Sequence, residues 1–160
     1  MTRRQLMNLL SALGGASMVT ATRQAAAAPG RSDRIERPDA EWRQRLTPAA
    51  YDVLRHEGTE RPFSSPLNAE KRAGSYHCAG CELPLFTQAT KFDSGTGWPS
   101  FFAALPEALE TRTDYKLILP RTEYHCARCG GHQGHVFDDG PRPTGKRYCN
   151  NGVALKFVPA

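Results

Sequence analysis

The chain has 160 residues, 39% of them hydrophobic and 23% charged, which is the size and composition of one folded domain. This composition excludes a low-complexity chain, a collagen-like chain and a bundle of membrane helices. The 21 Lys and Arg against 16 Asp and Glu give a formal net charge of +5, which suggests an anionic partner such as nucleic acid, and the five cysteines leave at least one thiol without an internal partner.

The N-terminal segment has the features of a twin-arginine secretory signal. Arg3 and Arg4 precede a weakly apolar run that continues to Ala21, and the small residues 25–28 follow it. An amphipathic or membrane-spanning helix is the alternative, but Gly, Ser and Asn interrupt the run. We therefore expect residues 1–28 to be a signal peptide, removed close to Ala28, and the protein to be exported to a bacterial periplasm, with no membrane association after cleavage; retention of the segment as an anchor is the alternative.

Removal of this segment changes the charge argument. It takes away Arg3, Arg4 and Arg23 but no acidic residue, so 18 basic residues remain against 16 acidic ones. The net charge of +2 weakens the prediction of a nucleic-acid partner.

Residues 29–41 are polar, charged and contain a proline, which predicts a linker. A docking segment around Trp42 and Leu46 follows, and we expect the folded domain to span residues 42–160.

A short helix is predicted next. Thr47 is a good N-cap and Pro48 fits the first turn, while Tyr51 and Leu54 lie on one face. Gly58 stands where the chain must leave the helix. We expect this helix to serve packing alone.

The remainder of the chain predicts a mainly β domain with antiparallel strands. Short apolar stretches alternate with Gly, Pro, Asp and Asn, and sustained helical periodicity is almost absent. The predicted strands cover residues 76–78, 83–86, 115–119, 123–126, 135–137 and 153–158.

A hexapeptide of the form Tyr-His-Cys-Ala-x-Cys occurs twice, at residues 76–81 and 124–129. Each copy places two thiols on a tight turn after a strand, and two such turns can surround one zinc ion tetrahedrally. The sequence therefore predicts a structural zinc site, whose ligands are Cys78, Cys81, Cys126 and Cys129.

Two other readings of these four thiols compete with zinc. They could form disulfides in an oxidising compartment, or one Cys-x-x-Cys pair could be a redox centre. The export signal implies folding in the reducing cytosol, and a redox centre needs only one copy, so we prefer zinc. His77 and His125 should point to the opposite side of their strands and pack there.

The fifth cysteine, Cys149, is the candidate nucleophile. Lys146 and Arg147 precede it, and these cations are expected to lower its pKa. An alternating strand would place Arg147, Cys149 and Asn151 on one face. A buried, inert cysteine is the alternative.

Two nearby loops could serve this thiol. His132 and His135 lie three apart in a Gly-rich loop after the second hexapeptide, where they are candidates for a general acid or base, although surface histidines or a second metal site also fit the pattern. Trp98 stands between Gly97 and Pro99, where its indole is either part of the core or one wall of an apolar pocket.

Taken together, the chain from about residue 42 to residue 158 resembles the type B peptide methionine sulfoxide reductases, which are specific for the R epimer at sulfur. Six stretches carry the resemblance, and they occur in the expected order along the chain: residues 58–63, both hexapeptides, residues 91–101, the Gly-His-x-Gly-His-Val-Phe loop at 131–137 and residues 145–151. The resemblance implies two packed antiparallel sheets with short N-terminal helices and a structural zinc ion.

The resemblance also implies roles for particular residues. Cys149 would attack the sulfoxide sulfur and become a sulfenic acid while methionine leaves, and His132 and His135 would bind and protonate the oxygen. Trp98 would hold the methyl group. The remaining implied site residues are Asp139, near the histidines, and Arg147 and Asn151, which would position and activate the thiol.

The sequence departs from this family at two places. Thr96 stands where many members carry the cysteine that resolves the sulfenic acid, and Gly152-Val153 stands where Ser-Ala is usual. With four cysteines on zinc, no resolving thiol remains. We therefore expect an external reductant, either a thioredoxin-like protein or a small thiol, and little effect of the second departure.

Oxidised proteins are the expected substrates of this monomeric repair enzyme. Two other classes stay open: a zinc-ribbon module that binds nucleic acid or protein, which would need clustered basic residues and exposed aromatics, and a purely structural zinc scaffold.

Overall fold

A computed structural model describes residues 31–160; the predicted signal peptide lies outside the described residues. The described part of the chain begins with two short helices: α1, Asp39–Arg45, and α2, Pro48–His56. The Thr47 hydroxyl accepts a hydrogen bond from the backbone N–H of Ala50 at 3.2 Å, so the predicted N-cap is confirmed. No helix of residues 31–160 has the length and apolar character that crossing a membrane requires.

The end of α2 differs by one residue from the prediction. Glu57, not Gly58, adopts the left-handed backbone conformation, with φ of 57°. Gly58 instead follows the helix where space is short, because a Cβ there would lie 2.0 Å from a carboxylate oxygen of Asp52.

Within residues 31–160, nine strands form two antiparallel sheets, which confirms the predicted fold class. Their bounds are β1 Gly74–Cys78, β2 Pro84–Thr87, β3 Lys91–Phe92, β4 Ser100–Phe101, β5 Leu109–Asp114, β6 Arg121–Cys126, β7 His132–Phe137, β8 Arg147–Asn150 and β9 Leu155–Pro159. One sheet has the order β2-β1-β9 and the other β3-β4-β8-β7-β6-β5.

Aromatic side chains from the two sheets pack together as the core. Phe86 of the small sheet stacks on Phe101 of the large one, with ring centroids 4.2 Å apart. Tyr76 of the small sheet meets Phe101 edge-on at 4.9 Å, and Phe86 meets Tyr124 of the large sheet edge-on at 6.2 Å. Such pairs contribute about 0.5–1.5 kcal/mol each beyond the area they bury. The contacts fix the large sheet, which carries the site described below, against the small one.

The strand predicted at residues 115–119 is wrong. These residues form the turn between β5 and β6, and their large apolar side chains are exposed. The strand lies just before them, at Leu109–Asp114, where polar residues pair with β6 at the edge of the sheet. An edge strand that faces solvent needs no apolar face, so its sequence lacks the pattern that predicts a strand.

The segment before α1 contacts the domain. The backbone N–H of Ile35 donates to the carbonyl of Arg128 at 2.8 Å, and the Arg31 guanidinium donates to the carbonyl of Glu107 at 2.9 Å. Trp42 of α1 is buried, with the guanidinium of Arg55 over its ring at 4.9 Å. These contacts hold the N-terminal segment near the second hexapeptide.

Candidate functional site

The candidate nucleophile Cys149 lies in the middle of the large sheet, on β8 between β4 and β7. Its Cα pairs with that of Ser100 on one side and that of His135 on the other. Directly opposite residues of an antiparallel pair point to the same face, so the thiol and the imidazole project side by side. Gly134 allows β7 and β8 to lie close together, because a Cβ at this position would lie 1.9 Å from the carbonyl oxygen of Cys149.

A cavity of about 140 Å³ opens at this face. Pockets for drug-sized ligands measure roughly 300–1,000 Å³, so this one fits the end of a single side chain. Four of the seven predicted non-metal site residues line it, namely Trp98, His135, Cys149 and Asn151. His132, Asp139 and Arg147 lie outside the lining.

Glu60 fixes the indole of Trp98. The indole N–H donates to the backbone carbonyl of Glu60 at 3.1 Å. The Glu60 carboxylate in turn accepts from the backbone N–H groups of Gly152 and Val153, and its own backbone N–H donates to the Asn151 side chain at 3.0 Å. One residue therefore links the aromatic wall to the loop after the nucleophile.

His135 is held by an acidic and a basic residue from the two ends of the β5–β6 turn. Its Nε2 lies 2.7 Å from a carboxylate oxygen of Asp114, and the Arg121 guanidinium donates to the same oxygen at 2.6 Å. An ionised carboxylate only accepts, so Nε2 carries the proton and Nδ1 is the acceptor in neutral His135. The Nε of Arg121, which also lines the cavity, is buried without a hydrogen-bond partner among residues 31–160.

Burial lowers the pKa of His135, and the Asp114 carboxylate offsets this only in part. The pKa of Asp114 itself is well below its usual range, because the backbone N–H of Lys116, His135 and Arg121 all donate to it. His135 is therefore a neutral imidazole at pH 7, next to a permanent carboxylate.

His132 lies behind His135 and is buried. The two rings meet edge-on with centroids 5.5 Å apart, and Nδ1 of His132 donates to Glu123 at 2.7 Å. Glu123 also accepts from Nδ1 of His125 at 3.0 Å. Burial opposes ionisation of Glu123, but the two imidazole bonds outweigh it and lower its pKa to about 2. A buried carboxylate thus orients His132.

The expected depression of the Cys149 pKa is wrong for this structure. Burial raises the pKa of the thiol above its ordinary value, and the Arg147 guanidinium and Thr96 hydroxyl counteract this only in part. The two cations before the thiol have acidic partners: Lys146 pairs with Asp138, and Arg147 binds Asp139 through two hydrogen bonds of 2.8 Å. The Asp139 charge thus opposes that of Arg147 at the sulfur, although Arg147 has the larger effect of the two and burial outweighs both.

Arg147 and Asp139 form one unit beside the cavity. The guanidinium lies over the ring of Phe137 at 4.4 Å, and Phe137 lines the cavity. The Asp139 carboxylate, 61% exposed, contacts this guanidinium, and neither histidine appears among its hydrogen-bond partners in the described chain. Asn151 is also committed to the backbone, because its amide donates to the Gln133 carbonyl at 3.0 Å.

The four hexapeptide cysteines form a cluster suited to a metal ion. The sulfur atoms of Cys78, Cys81, Cys126 and Cys129 all lie within 4.8 Å of one another. The Cys78–Cys129 and Cys81–Cys126 sulfur atoms are 3.7 and 3.4 Å apart. A tetrahedron with zinc–sulfur bonds of about 2.3 Å has edges of about 3.8 Å, whereas a disulfide needs about 2.05 Å. The donor set therefore fits a tetrahedral metal site.

Residues around the cluster connect it to the nucleophile. The Gln133 side chain donates to the sulfur of Cys78 at 3.4 Å, and its carbonyl accepts from the backbone of Asn151 at 2.9 Å. His77 and His125 are not in the cluster: they hydrogen-bond Ser75 and Glu123. This arrangement agrees with the prediction that neither histidine is a metal ligand.

Several residues of the site escape sequence reasoning. Glu60 lies in a motif that carried the family resemblance, but its contacts could not be read from it. Asp114 and Arg121 flank the segment interpreted as a strand, and 21 residues separate Asp114 from His135. Glu123 gave no signal, because an acidic residue in a strand normally faces solvent.

Comparison with known proteins agrees with this geometry. The SelR domain model matches residues 46–159. A peptide methionine sulfoxide reductase MsrB of Pseudomonas putida is 55% identical over 79% of this chain and 96% of its own length, and that of Agrobacterium fabrum is 50% identical over 80% and 96%. The protein of the same name from Methanosarcina barkeri is 51% identical over 77% and 87%. The chain therefore belongs to the SelR domain family.

Proposed function

We propose that this protein reduces methionine-R-sulfoxide in oxidised proteins to methionine. One observation carries the proposal: Cys149, His135 and Trp98 line the same small cavity. A nucleophile, a proton carrier and an aromatic wall suit the sulfur, the oxygen and the methyl group of a sulfoxide. The names of the relatives support the reductase over a zinc-ribbon binding module or a structural scaffold.

The reaction transfers one oxygen atom. The Cys149 sulfur attacks the sulfoxide sulfur, the sulfur–oxygen bond of the substrate breaks, and the oxygen ends on Cys149 as a sulfenic acid while methionine leaves. Nδ1 of His135 takes the thiol proton and delivers it to the oxygen. Only one epimer places its methyl group on Trp98 and its oxygen at His135 at the same time.

The other site residues support this step. His132, anchored by Glu123, packs against His135, and the Nε–H of Arg121, which has no hydrogen-bond partner within residues 31–160, offers a further donor to the oxygen. Arg147, held by Asp139, favours the thiolate as it forms. Asn151 keeps the loop after Cys149 in place.

An external thiol then restores the enzyme. Thr96 provides no sulfur, so a thioredoxin-like or small-thiol reductant attacks the sulfenic acid, releasing water and leaving a mixed disulfide. A second thiol of the reductant breaks this disulfide, returning Cys149 as a thiol and leaving the reductant oxidised.

Peptides that contain the R or the S sulfoxide test the proposal directly. We expect reduction of the R epimer only, and mass spectrometry after one turnover without reductant should show one added oxygen on Cys149. Reduction of the S epimer alone, or of neither, would contradict the function. A disulfide between Cys149 and a hexapeptide cysteine would instead contradict the recycling step.

The pH profile tests the proton-transfer step. The pKa of His135 lies below its usual value and that of Cys149 above it, so both groups are neutral between them. The fraction of molecules that carry both a Cys149 thiolate and a His135 imidazolium is constant over this range, because the thiolate fraction rises tenfold per pH unit while the imidazolium fraction falls tenfold. We expect kcat/KM to be flat from about pH 7 to 8.5, within the interval set by ordinary values near 6.5 and 8.5–9. A tenfold rise per unit would show that thiolate formation alone controls the rate.

The variant Asp114→Ala tests the same proton-transfer step, because Asp114 hydrogen-bonds His135. The carboxylate raises the pKa of His135, so its loss should lower that pKa, reduce the plateau and extend it to lower pH. Asp39→Ala removes an exposed carboxylate of α1 and serves as the control, with no expected change in the profile.

We further propose zinc as the metal of the four-cysteine site, because closed sets of four thiolates favour it. Elemental analysis should find one zinc ion per chain.

We also propose that residues 1–28 direct export to the periplasm and that the mature chain is a monomer. The basis is the Arg3-Arg4 pair and the small-residue cluster, and an unshortened chain in the cytosolic fraction would contradict export.

A further inference from the structure

Exposed apolar side chains of the described chain are confined to two places. The large hydrophobic residues with high exposure are Phe63, Tyr115, Leu117, Ile118 and Leu119. Four of them lie on the turn between β5 and β6, which we call the apolar arm, residues 115–120. Ile118 is as exposed as in a free peptide, at 101%. Contiguous apolar exposure on a soluble domain indicates a binding surface.

The apolar arm forms one wall of a groove that adjoins the Cys149 cavity. The groove measures about 710 Å³, and its opposite wall is formed by Val136 and Phe137 of β7. Arg121 and Phe137 line both the groove and the cavity. The two spaces are therefore neighbours that share walls.

Phe63, the remaining exposed residue, lies on the Trp98 side of the cavity, in a separate groove that Trp98 also lines. Its backbone N–H donates to the carbonyl of Gly97 at 2.7 Å, directly before Trp98. Apolar surface thus flanks the cavity on the Trp98 side as well as on the Arg121 side.

The base of the apolar arm is fixed although its tip is exposed. Asp114 accepts from the backbone N–H of Lys116 at 2.8 Å, and Arg121 donates to Asp114 at 2.6 Å. The same Asp114 holds His135. The arm therefore stands at a set position beside the cavity, and the surface it offers is formed before a ligand arrives.

We propose that the apolar arm and its groove bind aliphatic or aromatic side chains that neighbour the oxidised methionine in an extended peptide. This rests on the proposed function. The cavity holds the end of one side chain, so the adjoining residues of a bound peptide must lie over its rim. An extended chain advances about 3.3 Å per residue, which brings residues one to three positions from the methionine onto the groove.

The charges of the groove agree with an apolar occupant. Its acidic and basic members are already paired, Arg121 with Asp114 and Asp138 with Lys146. They therefore offer little to a charged ligand, whereas Leu117 and Leu119 gain by losing contact with water. Burying about half of one such side chain corresponds to roughly a tenfold gain in binding.

The test compares three R-sulfoxide substrates: a peptide with Leu and Phe beside the sulfoxide, the same peptide with Ser and Gly there, and the capped amino acid alone. For the unmodified protein we expect kcat/KM to be about tenfold higher for the apolar peptide than for the polar one. The variant Leu117→Ser/Ile118→Ser/Leu119→Ser should lose this ratio and keep its rate on the capped amino acid. Lys116→Ser, on the same turn, is the matched control and should keep the ratio.

Other results would overturn the proposal. An unchanged ratio in the triple variant would show that the arm does not contact the peptide, and an equal loss on all three substrates would place its effect on His135. A changed KM for the reductant alone would make the arm a reductant surface. The triple variant could instead keep the ratio but lose concentration-dependent self-association or vesicle binding. The arm would then be a surface for a second copy or for a membrane.

A binding measurement separates this proposal from the proposed function. The same two peptides with methionine in place of its sulfoxide are titrated calorimetrically, and the apolar one should bind more tightly only while the arm is intact. If no substrate is reduced, the proposed function fails, and this titration still decides whether the arm binds apolar peptides. Equal affinities for both peptides would overturn it.

Discussion

Replacing Cys149 by serine is expected to abolish sulfoxide reduction, with a loss of roughly 10⁴-fold or more in kcat/KM, because a serine hydroxyl is far less nucleophilic than a thiol. The substitution exchanges one atom in a side chain that is only half-buried. The thiol lies outside the four-cysteine cluster, so the metal content should not change. Steady-state rates on the R-sulfoxide peptide and elemental analysis of the same sample measure both quantities.

The neighbouring variant Arg147→Lys serves as a graded comparison. It keeps a positive charge beside the sulfur but loses the two-point contact with Asp139 and the stacking on Phe137, so it should lower activity by a smaller factor. Retained activity of Cys149→Ser would place the nucleophile elsewhere. Loss of metal in that variant would give its inactivity a structural explanation.

The parts of the fold that could be predicted depend on local sequence. The repeated hexapeptide fixes the ligand spacing, and the four sulfur atoms do meet, because Cys78 and Cys126 each end a strand and a tight turn presents the second thiol. Thr47 and Pro48 encode the start of α2 in the same local way. The strands with one face in the core, such as β1 and β6, follow from alternation.

The errors have a common physical origin in contacts between distant residues. The apolar residues 115–119 have the composition of a strand, yet their large apolar side chains are exposed within residues 31–160, and the sheet pairs through the mostly polar Leu109–Asp114 instead. The pKa of Cys149 was inferred from the two cations before it, but Asp138 and Asp139, each eight residues before its partner, pair with both. The sequence shows which charged residues lie near Cys149 along the chain, but it shows neither their partners nor the burial that has the largest effect on the pKa of the thiol.

The position of His135 illustrates the same limit at the site itself. The sequence offered both His132 and His135 as candidates for a general acid or base, whereas β7, whose pairing with β6 has an irregular register, gives the two rings different surroundings. His135 reaches the cavity, and His132 is buried against Glu123. Which of the two meets a ligand is decided by the register of β7 against β8, and this register is not visible in the sequence.

The metal site connects the two sheets, so its removal should have the largest effect on stability. Cys78 ends β1 of the small sheet and Cys126 ends β6 of the large one. Leu54 of α2 packs over both turns, within 3.6 Å of the Cβ position of Gly80 and 2.9 Å of that of Gly131. A bound ion therefore joins one end of each sheet and the helix that covers them.

Two free energies, that of zinc binding and that of unfolding, indicate what removal of the ion does to the fold. Binding of structural zinc contributes about 10–16 kcal/mol in zinc-finger peptides at pH 7, whereas a whole domain is stable by only about 5–15 kcal/mol. Loss of the ion also leaves four thiols clustered within 4.8 Å in a largely buried site. The metal-free protein should therefore be unfolded or close to it at 25 °C, and Cys126→Ser should behave in the same way.

Circular dichroism during thermal unfolding, with and without a chelator, measures this effect. We expect the cooperative transition of the untreated protein to disappear on chelation and to return when zinc is added back. Cys149→Ser is the matched control, because it removes a thiol that belongs to no cluster and should unfold at the temperature of the unmodified protein. A transition that survives complete metal removal would mean that the aromatic packing between the sheets holds the fold by itself, with Phe86 on Phe101 at its centre.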